Sequence, residues 1–323
     1  MFDLITIGDT TFDTFLVLED NTSQVMLKKN KKELCLNFAD KICIEKLVQS
    51  VGGNAANIAV ATRKLGFKSA IVTELGDDLT GEIISQELRA AGVHTGLVKM
   101  HKKKETRYSV ILNYKSERTI LSYHAKRTYA LPKKLDAPWI YFTSMGKSFE
   151  TVQKKLQLYL KKHPSTKLAL NPGSYQMKAG LKAVKILFSQ TDVLFVNKEE
   201  ADKIIGRMLP VKQSLFALHK MGVRIAVITD STRGSYASDA DHAYVMKAYP
   251  ITPIARTGAG DAYASGFLGA VMTGHTISTA MQWGTANAGG VIQQFGAQQG
   301  LQTKAGLQKI IKKYRRVRPV PLV

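Results

Sequence analysis

The sequence predicts an α/β protein, with a central, mostly parallel β-sheet flanked by helices and a second, smaller sheet. Short apolar runs alternate with helical patterns along most of the chain, which is typical of a parallel sheet covered on both faces. Two other regions alternate apolar and polar residues, the pattern of an antiparallel sheet with one exposed face.

Each strand of the main sheet is predicted by an apolar run that ends in a polar break. These runs are LITIG (4–8), SAIVTELG (69–76), WIYFTS (139–144), KLALNPG (167–173), VLFVN (193–197) and RIAVITD (224–230). Helical patterns follow most of them, for example NAANIAVATRKLG (54–66). Because the chain has no internal repeat and no low-complexity linker, a single domain over residues 1–323 is expected.

The smaller sheet is predicted from two segments, about 14–50 and 105–126, which interrupt the α/β series. They contain the stretches TFLVL, ELCLNFA, TRYSVILNY and ERTILSYH. Such a sheet would stand off the main domain. A lid over a ligand, an oligomer interface and structural decoration are all open at this point.

Composition excludes several classes of protein. With 45% hydrophobic and 22% charged residues, the chain is typical of a soluble globular protein. It has no long uncharged apolar stretch, and MFDLITIGD does not resemble a signal peptide. The two cysteines form no disulfide framework or metal cluster. We therefore expect a cytoplasmic protein without a membrane partner.

The chain is strongly basic, with 46 Lys and Arg against 25 Asp and Glu and a net charge of +21. A basic surface can bind nucleic acid, but it can also serve anionic substrates or reflect a lysine-rich proteome. The basic clusters are scattered and not interleaved with aromatic residues. This favours a solvated surface over a nucleic-acid site.

The stretch RTGAGDAYASGF (256–267) combines small residues with a carboxylate. Gly258, Ala259 and Gly260 allow close approach of backbone N–H groups to a ligand, and a helix starting near Asp261 adds its positive end. This geometry forms an anion hole. Asp261 can then take a proton from a hydroxyl that attacks bound phosphate. A helix N-cap is the alternative role for Asp261.

A second constellation, VGGNAANIAVATRKLG (51–66), opens a helix with paired glycines. Asn54 and Asn57 lie three residues apart, on neighbouring positions of the helix surface. Their amides can hydrogen-bond the hydroxyls of a ligand, although Asn54 can equally be an N-cap.

Together these stretches resemble both signatures of the PfkB-type carbohydrate kinases, the ribokinase-like family that also includes adenosine and other nucleoside kinases. Three further motifs occur in the family order, so the resemblance covers nearly the whole chain. It implies a single ribokinase-like kinase domain with a β-sheet lid, and ATP as co-substrate. The motifs are GDTTFD (8–13), GGNAAN (52–57), NPG (171–173), NKEE (197–200) and RTGAGDAYASGF.

The resemblance implies a role for each matching residue of the acceptor site. Asp261 would be the general base for a substrate hydroxymethyl group, and the amides of Gly258 to Gly260 would stabilise the transferred phosphoryl charge. The hydroxyls of the acceptor would be bound by Asp13, Gly53, Asn54 and Asn57.

For the nucleotide, the resemblance implies phosphate contacts from Thr229 and Gly234, and a contact near the adenine from Asn287. Ser231 stands where the family usually has glycine, so it would be modestly strained if its φ is positive.

For metals, the resemblance implies that Glu200 and Asn197 order Mg²⁺ through water molecules near the phosphates. Ala255 stands where many relatives have an acidic residue of a monovalent-cation site. Potassium activation is therefore in doubt.

The resemblance also gives the smaller sheet a role. In this family it covers the substrate, excludes competing water and in many bacterial members pairs between subunits, so a homodimer through the lid is implied. Arg118, near a hairpin end, can either reach a phosphorylated substrate or form a surface ion pair.

Three functions are compatible with the sequence. The first is an ATP-dependent kinase of a small sugar, such as a ribose, fructose or ketodeoxy sugar. The second is a nucleoside kinase acting on the 5′ hydroxyl, with Phe12, Phe15 and Tyr123 as candidate walls for the base. The third is a basic binding protein that has lost catalysis, against which the intact TGAGD segment argues.

Overall fold

The computed structural model describes residues 1–20, 23–28, 30, 33–115, 117–239 and 241–322. Its strands within these ranges are β1 (Leu4–Ile7), β2 (Thr11–Leu18), β3 (Val25–Lys28), β4 (Glu33–Leu36), β5 (Ile44–Gly52), β6 (Ser69–Val72), β7 (Glu74–Gly76), β8 (Lys99–His101), β9 (Tyr108–Tyr114), β10 (Glu117–Tyr123), β11 (Trp139–Phe142), β12 (Lys167–Leu170), β13 (Val193–Asn197), β14 (Ile225–Thr229), β15 (Ser235–Ser238), β16 (Ala243–Met246) and β17 (Val320–Pro321).

The α-helices in the same ranges are α1 (Asn54–Lys64), α2 (Leu79–Ala90), α3 (Phe149–Lys162), α4 (Ser174–Lys178), α5 (Leu181–Lys185), α6 (Lys198–Ile205), α7 (Val211–Lys220), α8 (Ala259–Met272), α9 (Ile277–Val291) and α10 (Lys304–Lys313). No helix in these ranges has both the length and the apolar character needed to span a bilayer.

The main sheet confirms the predicted architecture. Its strand order is β17-β16-β15-β14-β13-β12-β11-β1-β6. The neighbouring strands β6, β1, β11, β12, β13 and β14 pair in parallel. Strands β15, β16 and β17 continue the sheet beyond β14 as antiparallel strands. Each apolar run named above forms a strand, except that SAIVTELG divides at Thr73 into β6 and β7.

Helices cover both faces of the main sheet, because each presents an apolar side to it. On one face, α3, α6 and α7 bury side chains such as Leu156, Ile204 and Leu215. On the other face, α1, α8, α9 and α10 contribute a second apolar cluster that includes Phe267 and Leu307. The two helices α8 and α9 are buried on nearly all sides.

The smaller sheet, called the lid from here on, consists of β10, β9, β2 and β5 in that order. Its pairing is mixed: β2 and β9 run parallel, and the other neighbours run antiparallel. The expectation of a wholly antiparallel sheet was therefore wrong. Both β2 and β9 begin at the main sheet, where the Phe12 N–H donates to the carbonyl of Arg107, so they run outward together.

The lid segments also differ from their predicted extent. The stretch ELCL forms β4, which pairs with β3 in a separate hairpin rather than in the lid. This hairpin packs on the lid through Val25 and Leu34, against Leu18 and Tyr114. The predicted segments include positions 21, 22, 29, 31, 32 and 116, which lie outside the described residues.

Candidate active site

A cavity of ≈ 830 Å³, the lid cavity, lies between the lid and the carboxyl ends of the parallel strands. Ligand sites in α/β sheets form at this edge, because the loops that follow the strands converge there. The strand ends contribute Asp9, Ser144, Asn171, Asn197 and Thr229, and the lid contributes Thr11, Asp13, Ser109, Ile111, Arg118, Ile120 and Ser122.

A neighbouring cavity of ≈ 880 Å³, the edge cavity, lies beside the antiparallel strands and α9. Its lining includes Ser231, Gly234, Tyr249, Pro250, Ile251, Pro253, Thr285, Ala288, Gly289 and Ile292. The two cavities share Arg118, Thr229, Arg256, Gly260 and Tyr263. A ligand group at this junction is therefore accessible from both cavities.

Asp261 lies in the lid cavity beside this junction, in the first turn of α8. Its carboxylate is buried, and the Asn57 side-chain amide donates a hydrogen bond of 2.8 Å to Oδ2. Burial raises the pKa of Asp261 to about 7, and the negative charges of Asp13 and Glu200 act in the same direction. The Asn57 hydrogen bond opposes them. A base with a pKa near neutrality suits proton transfer at physiological pH.

Gly258 and Gly260, which precede Asp261, are needed as glycines for different structural reasons. Gly258 has a φ of 79°, and a Cβ at this position would overlap Ala297. Only glycine fits there. Gly260 has ordinary helical backbone, and a Cβ on it would meet nothing within 4 Å. Since Gly260 lines both cavities, that open space is where a ligand can approach the backbone.

Gly52 and Gly53, the paired glycines before α1, allow close approach to the chain that follows β1 and to strand β2 of the lid. Gly53 has a φ of 88°, and a Cβ there would lie 2.5 Å from the Asp9 carbonyl oxygen. At Gly52, a Cβ would overlap the carboxylate of Asp13. Asp13 is buried, accepts a hydrogen bond of 2.7 Å from Thr11 Oγ1 and lines the lid cavity.

The two predicted amides lie in the lid cavity but have different partners. Asn54 begins α1, and its Nδ2 donates to Asn171 Oδ1 at 3.3 Å. Asn57 donates to Asp261 and accepts a hydrogen bond of 3.2 Å from Gln298. Asn57 therefore orients the Asp261 carboxylate, and because it also lines the lid cavity, its contact with an acceptor hydroxyl stays a prediction.

Glu200 and Asn197 form a reciprocal cap at the start of α6. The Glu200 N–H donates to Asn197 Oδ1 at 2.8 Å, and the Asn197 N–H donates to Glu200 Oε2 at 2.9 Å. Both line the lid cavity, and burial raises the pKa of Glu200. In the part of the chain that the structure describes, no cluster of three or more His, Cys, Asp or Glu forms a ready metal cage.

Of the residues predicted to bind nucleotide, two line the edge cavity. Thr229 lies at the junction, and Gly234 has a φ of 99°. Ser231 lines the same cavity with a φ of 50°, so this serine does adopt the left-handed conformation that favours glycine.

Asn287 is not brought to either cavity. It is fully buried, and its Nδ2 donates to the Ala262 carbonyl at 2.9 Å and to Ser265 Oγ at 3.1 Å. Its Oδ1 accepts from the Gln302 N–H. Asn287 therefore joins α9 to α8, and in this structure its side chain does not reach the position of the predicted adenine contact. The edge cavity is lined instead by its neighbours Ala288 and Gly289.

The candidate walls for a nucleoside base are also absent from the lid cavity. Phe15 is fully buried, and Phe12 packs against Tyr108 with ring centroids 5.9 Å apart. The Tyr123 hydroxyl donates to Glu105 on an exposed part of the lid.

Ala255, at the position where many relatives have an acidic residue of a monovalent-cation site, is buried. As an alanine it offers no carboxylate to a cation.

Sequence reasoning missed a buried network at the base of the lid. Arg107 forms a salt bridge with Asp9, and the Tyr129 hydroxyl donates to Asp9 Oδ1 at 2.7 Å. Burial raises the pKa of Asp9 to about 6, although Arg107 opposes this shift. An arginine at the start of an otherwise apolar strand pattern was the available signal.

Two further basic side chains of the lid cavity, His124 and Lys178, lie near Arg107. Arg107 Nη1 donates to His124 Nδ1 at 2.9 Å, so the ring proton lies on Nε2, which donates to Ser122 Oγ at 3.0 Å. Burial lowers the pKa of His124, as do the charges of Arg107 and Lys178. Lys178, at the exposed end of α4, lines the same cavity. We call Arg107, His124 and Lys178 the basic end of the lid cavity.

Comparison with solved structures agrees with the fold. A nucleoside kinase of Methanocaldococcus jannaschii superposes with a TM-score of 0.79 at 20% identity, over 97% of this chain and 99% of the other. A ribokinase of Arabidopsis thaliana complexed with ribose and ATP gives a TM-score of 0.78 at 19% identity, over 96% and 99%. The predicted ribokinase-like fold is thereby confirmed.

Sequence comparison gives more specific relatives. A 5-dehydro-2-deoxygluconokinase of Bacillus licheniformis is 28% identical over 284 residues, covering 81% of this chain and 86% of the relative. One of Listeria innocua is 25% identical and covers 96% of each chain. The family model described as pfkB family carbohydrate kinase matches residues 22–304. The chain is therefore a member of the pfkB family of carbohydrate kinases.

Proposed function

We propose that this sugar kinase transfers the γ-phosphoryl group of ATP to a hydroxymethyl group of a small sugar, with Asp261 as the general base. The observation that carries the proposal is the position of Asp261. Its buried carboxylate lies where the lid cavity meets the edge cavity, at the start of a helix. An acceptor in the lid cavity and a nucleotide in the edge cavity would meet there.

In the proposed step, the acceptor hydroxyl oxygen attacks the γ-phosphorus in line with the leaving oxygen. Its proton passes to the Asp261 carboxylate, the new P–O bond forms, and the bond to the β,γ-bridging oxygen breaks to release ADP. The first N–H groups of α8 have no carbonyl partner within the helix, so those of Gly260 and Asp261 can stabilise the developing charge.

The residues present fit an indirectly held Mg²⁺. Glu200 uses Oε2 in the helix cap, which leaves its other carboxylate oxygen for the lid cavity, and Asn197 fixes its position. One carboxylate without a cage suits an ion that keeps several waters and binds mainly to substrate phosphates. When bound, Mg²⁺ would neutralise phosphate charge. The chain's own contribution would be to orient its waters through Glu200.

The acceptor is proposed to be a sugar rather than a nucleoside. Phe12, Phe15 and Tyr123, the candidate walls for a base, do not line the lid cavity, whereas Asp13, Asn54 and Asn171 offer polar groups for hydroxyls. Within the sugars we propose a sugar acid. The basic end of the lid cavity suits a carboxylate. The name of the relatives, 5-dehydro-2-deoxygluconokinase, denotes a kinase of a gluconate derivative.

The lid is proposed to have a second role as a subunit contact. Strand β10 is exposed along its whole length and forms an edge of the sheet. An exposed strand edge is a template for pairing with another chain. Leu121 and Tyr123 of β10 are about half exposed, at 55% and 50%, so a second copy could cover them.

The test is ADP release from Mg-ATP with a panel of sugars, sugar acids and nucleosides, using Asp261→Asn as the control. Turnover of a sugar acid that the control lacks is the expected result. Activity retained in a clean Asp261→Asn preparation would remove the base assignment. Turnover with nucleosides alone would contradict the acceptor class. Silence together with no ATP binding would favour the third hypothesis, a basic protein that has lost catalysis.

A further inference from the structure

Two arginines lie at the junction of the lid cavity and the edge cavity. Arg118 comes from strand β10 of the lid, and Arg256 precedes the turn that begins α8. Both line both cavities, as do Thr229, Gly260 and Tyr263. No other cationic side chain of the described residues lines both cavities.

The contacts of Arg256 are weak and cross between elements. Its Nη1 lies 3.8 Å from Glu117 Oε1 of the lid and 3.5 Å from Ser231 Oγ of the turn after β14. Glu117 is 73% exposed, so this ion pair is solvated and contributes little to stability. Arg256 is therefore held only loosely and can exchange its partner.

Arg118 and Arg256 are close enough to repel each other. Although the residue as a whole is exposed, partial desolvation of its guanidinium group at the cavity wall lowers the pKa of Arg118; Glu117 opposes this shift, and Arg256 acts in the same direction as desolvation. Within the described residues, Arg118 has no salt bridge of its own. Two guanidinium groups beside a helix N-terminus create a local positive field, which is favourable only when an anion lies between them.

We propose that Arg256 and Arg118 hold the phosphoryl group in transfer from its two sides, and that Glu117 holds Arg256 until nucleotide is bound. This inference rests on the proposed function, because it assigns the transferred group to the junction. Planar guanidinium groups suit phosphate oxygens, to which they donate paired hydrogen bonds. Because Arg118 belongs to the lid, its contact would form fully only when the lid covers the acceptor.

As a consequence, the rate of phosphoryl transfer would depend on the position of the lid. Arg256 lies just before α8 in the chain, so it can meet the transferred phosphoryl group without movement of the lid. Arg118 adds its charge only from the lid. Arginines that reach a transferred phosphoryl group act mainly on its transition state, so kcat should respond more than nucleotide affinity.

The experiment compares Arg256→Gln and Arg118→Gln with Arg233→Gln. Arg233 is a matched control, because it lies on the same turn as Ser231, is 74% exposed and lines neither cavity. We expect kcat to fall on the order of a hundredfold for Arg256→Gln. The KM for ATP should change only slightly, and the control should keep wild-type values.

Two binding measurements need no acceptor. Calorimetry with Mg-ADP and aluminium fluoride, which mimics the phosphoryl group in transfer, should show a much larger loss in Arg256→Gln than Mg-ADP alone. Glu117→Gln should bind Mg-ADP with aluminium fluoride tighter by up to about fivefold, the equivalent of one surface ion pair. Unchanged aluminium fluoride binding in both arginine variants would overturn the proposal.

These outcomes separate the inference from the proposed function. Full turnover in Arg256→Gln and Arg118→Gln, together with an inactive Asp261→Asn, would remove the arginine contacts and leave the base intact. A rise confined to the KM for ATP would also overturn the proposal, since it would make Arg256 an ordinary nucleotide contact. Turnover in Asp261→Asn would instead count against the proposed function.

Discussion

At Asp261, burial and hydrogen bonding act on the carboxylate in opposite directions. Burial favours the neutral acid and raises the pKa to about 7, while the amide of Asn57 favours the anion. The sequence indicates both residues, but it cannot indicate that they touch, because they are 204 positions apart. The same contact explains why Asn57 is less available to a substrate.

This balance predicts that the pH profile of kcat has an acidic limb, in which kcat falls as the pH is lowered. Since the base must be unprotonated, kcat should fall about tenfold for each pH unit below the pKa near 7. In Asn57→Ala the hydrogen bond that lowers the pKa is absent, so the limb should move to higher pH. The measurement is the pH profile of kcat for both proteins. A limb that stays in place in Asn57→Ala would contradict this account.

At Lys178, the prediction concerns acceptor choice. Arg107 is balanced by Asp9, so Lys178 supplies the net positive charge of the basic end. Lys178→Met should raise the KM for a sugar acid about tenfold, the value of one charged hydrogen bond. A neutral sugar should be affected much less.

The matched control for this prediction is Lys182→Met. Lys182 is also exposed and follows closely on α5, but it does not line the lid cavity. Steady-state kinetics with an acid and its neutral counterpart give both values. Equal changes for the two acceptors would exclude a carboxylate contact at Lys178.

At the scale of elements, the start of α8 shows why a sequence motif contains two glycines. Gly258 is required by backbone conformation and by Ala297, whereas Gly260 keeps space open for ligand. Gly258→Ala should reduce the free energy of unfolding by about 2 kcal/mol, because its φ is left-handed. Gly260→Ala should fold normally and lose activity.

Thermal unfolding together with ADP release tests this pair of variants. The helical position of Gly260 also favours alanine by propensity, so its stability should be equal to or above that of the wild type. A Gly260→Ala protein with full kcat would contradict the role of that space. Unchanged stability in Gly258→Ala would contradict the strain argument.

The lid is the element on which sequence prediction was least accurate. Alternation predicted exposed strands, and these exist, yet the pairing of β2 with β9 is parallel and the stretch ELCL belongs to a separate hairpin. Alternation defines which face of a strand is apolar but carries no information about its neighbour. Strand direction depends on where the chain leaves the main sheet.

At the scale of the whole molecule, the exposed lid edge predicts self-association. Light scattering after size-exclusion chromatography should give a mass of two chains. Leu121→Lys should shift that mass towards one chain, because it places a charge on β10. Leu158→Lys is the matched control, since Leu158 is 58% exposed but lies on α3. A monomeric wild-type protein, or equal effects of both variants, would contradict a contact through the lid.

The sequence by itself determined the strand and helix alternation, the family and the positions of Asp261, Asp13 and the paired glycines. These follow from local properties: hydrophobic period, backbone freedom at glycine and motif order. Only the tertiary structure decided that Asn57 serves Asp261, that Asn287 is buried between helices and that Phe12 and Phe15 are core residues. It also brought Arg118 and Arg256 to one junction. The physical reason is that partners, burial and pKa arise from residues far apart in the chain, which local patterns do not encode.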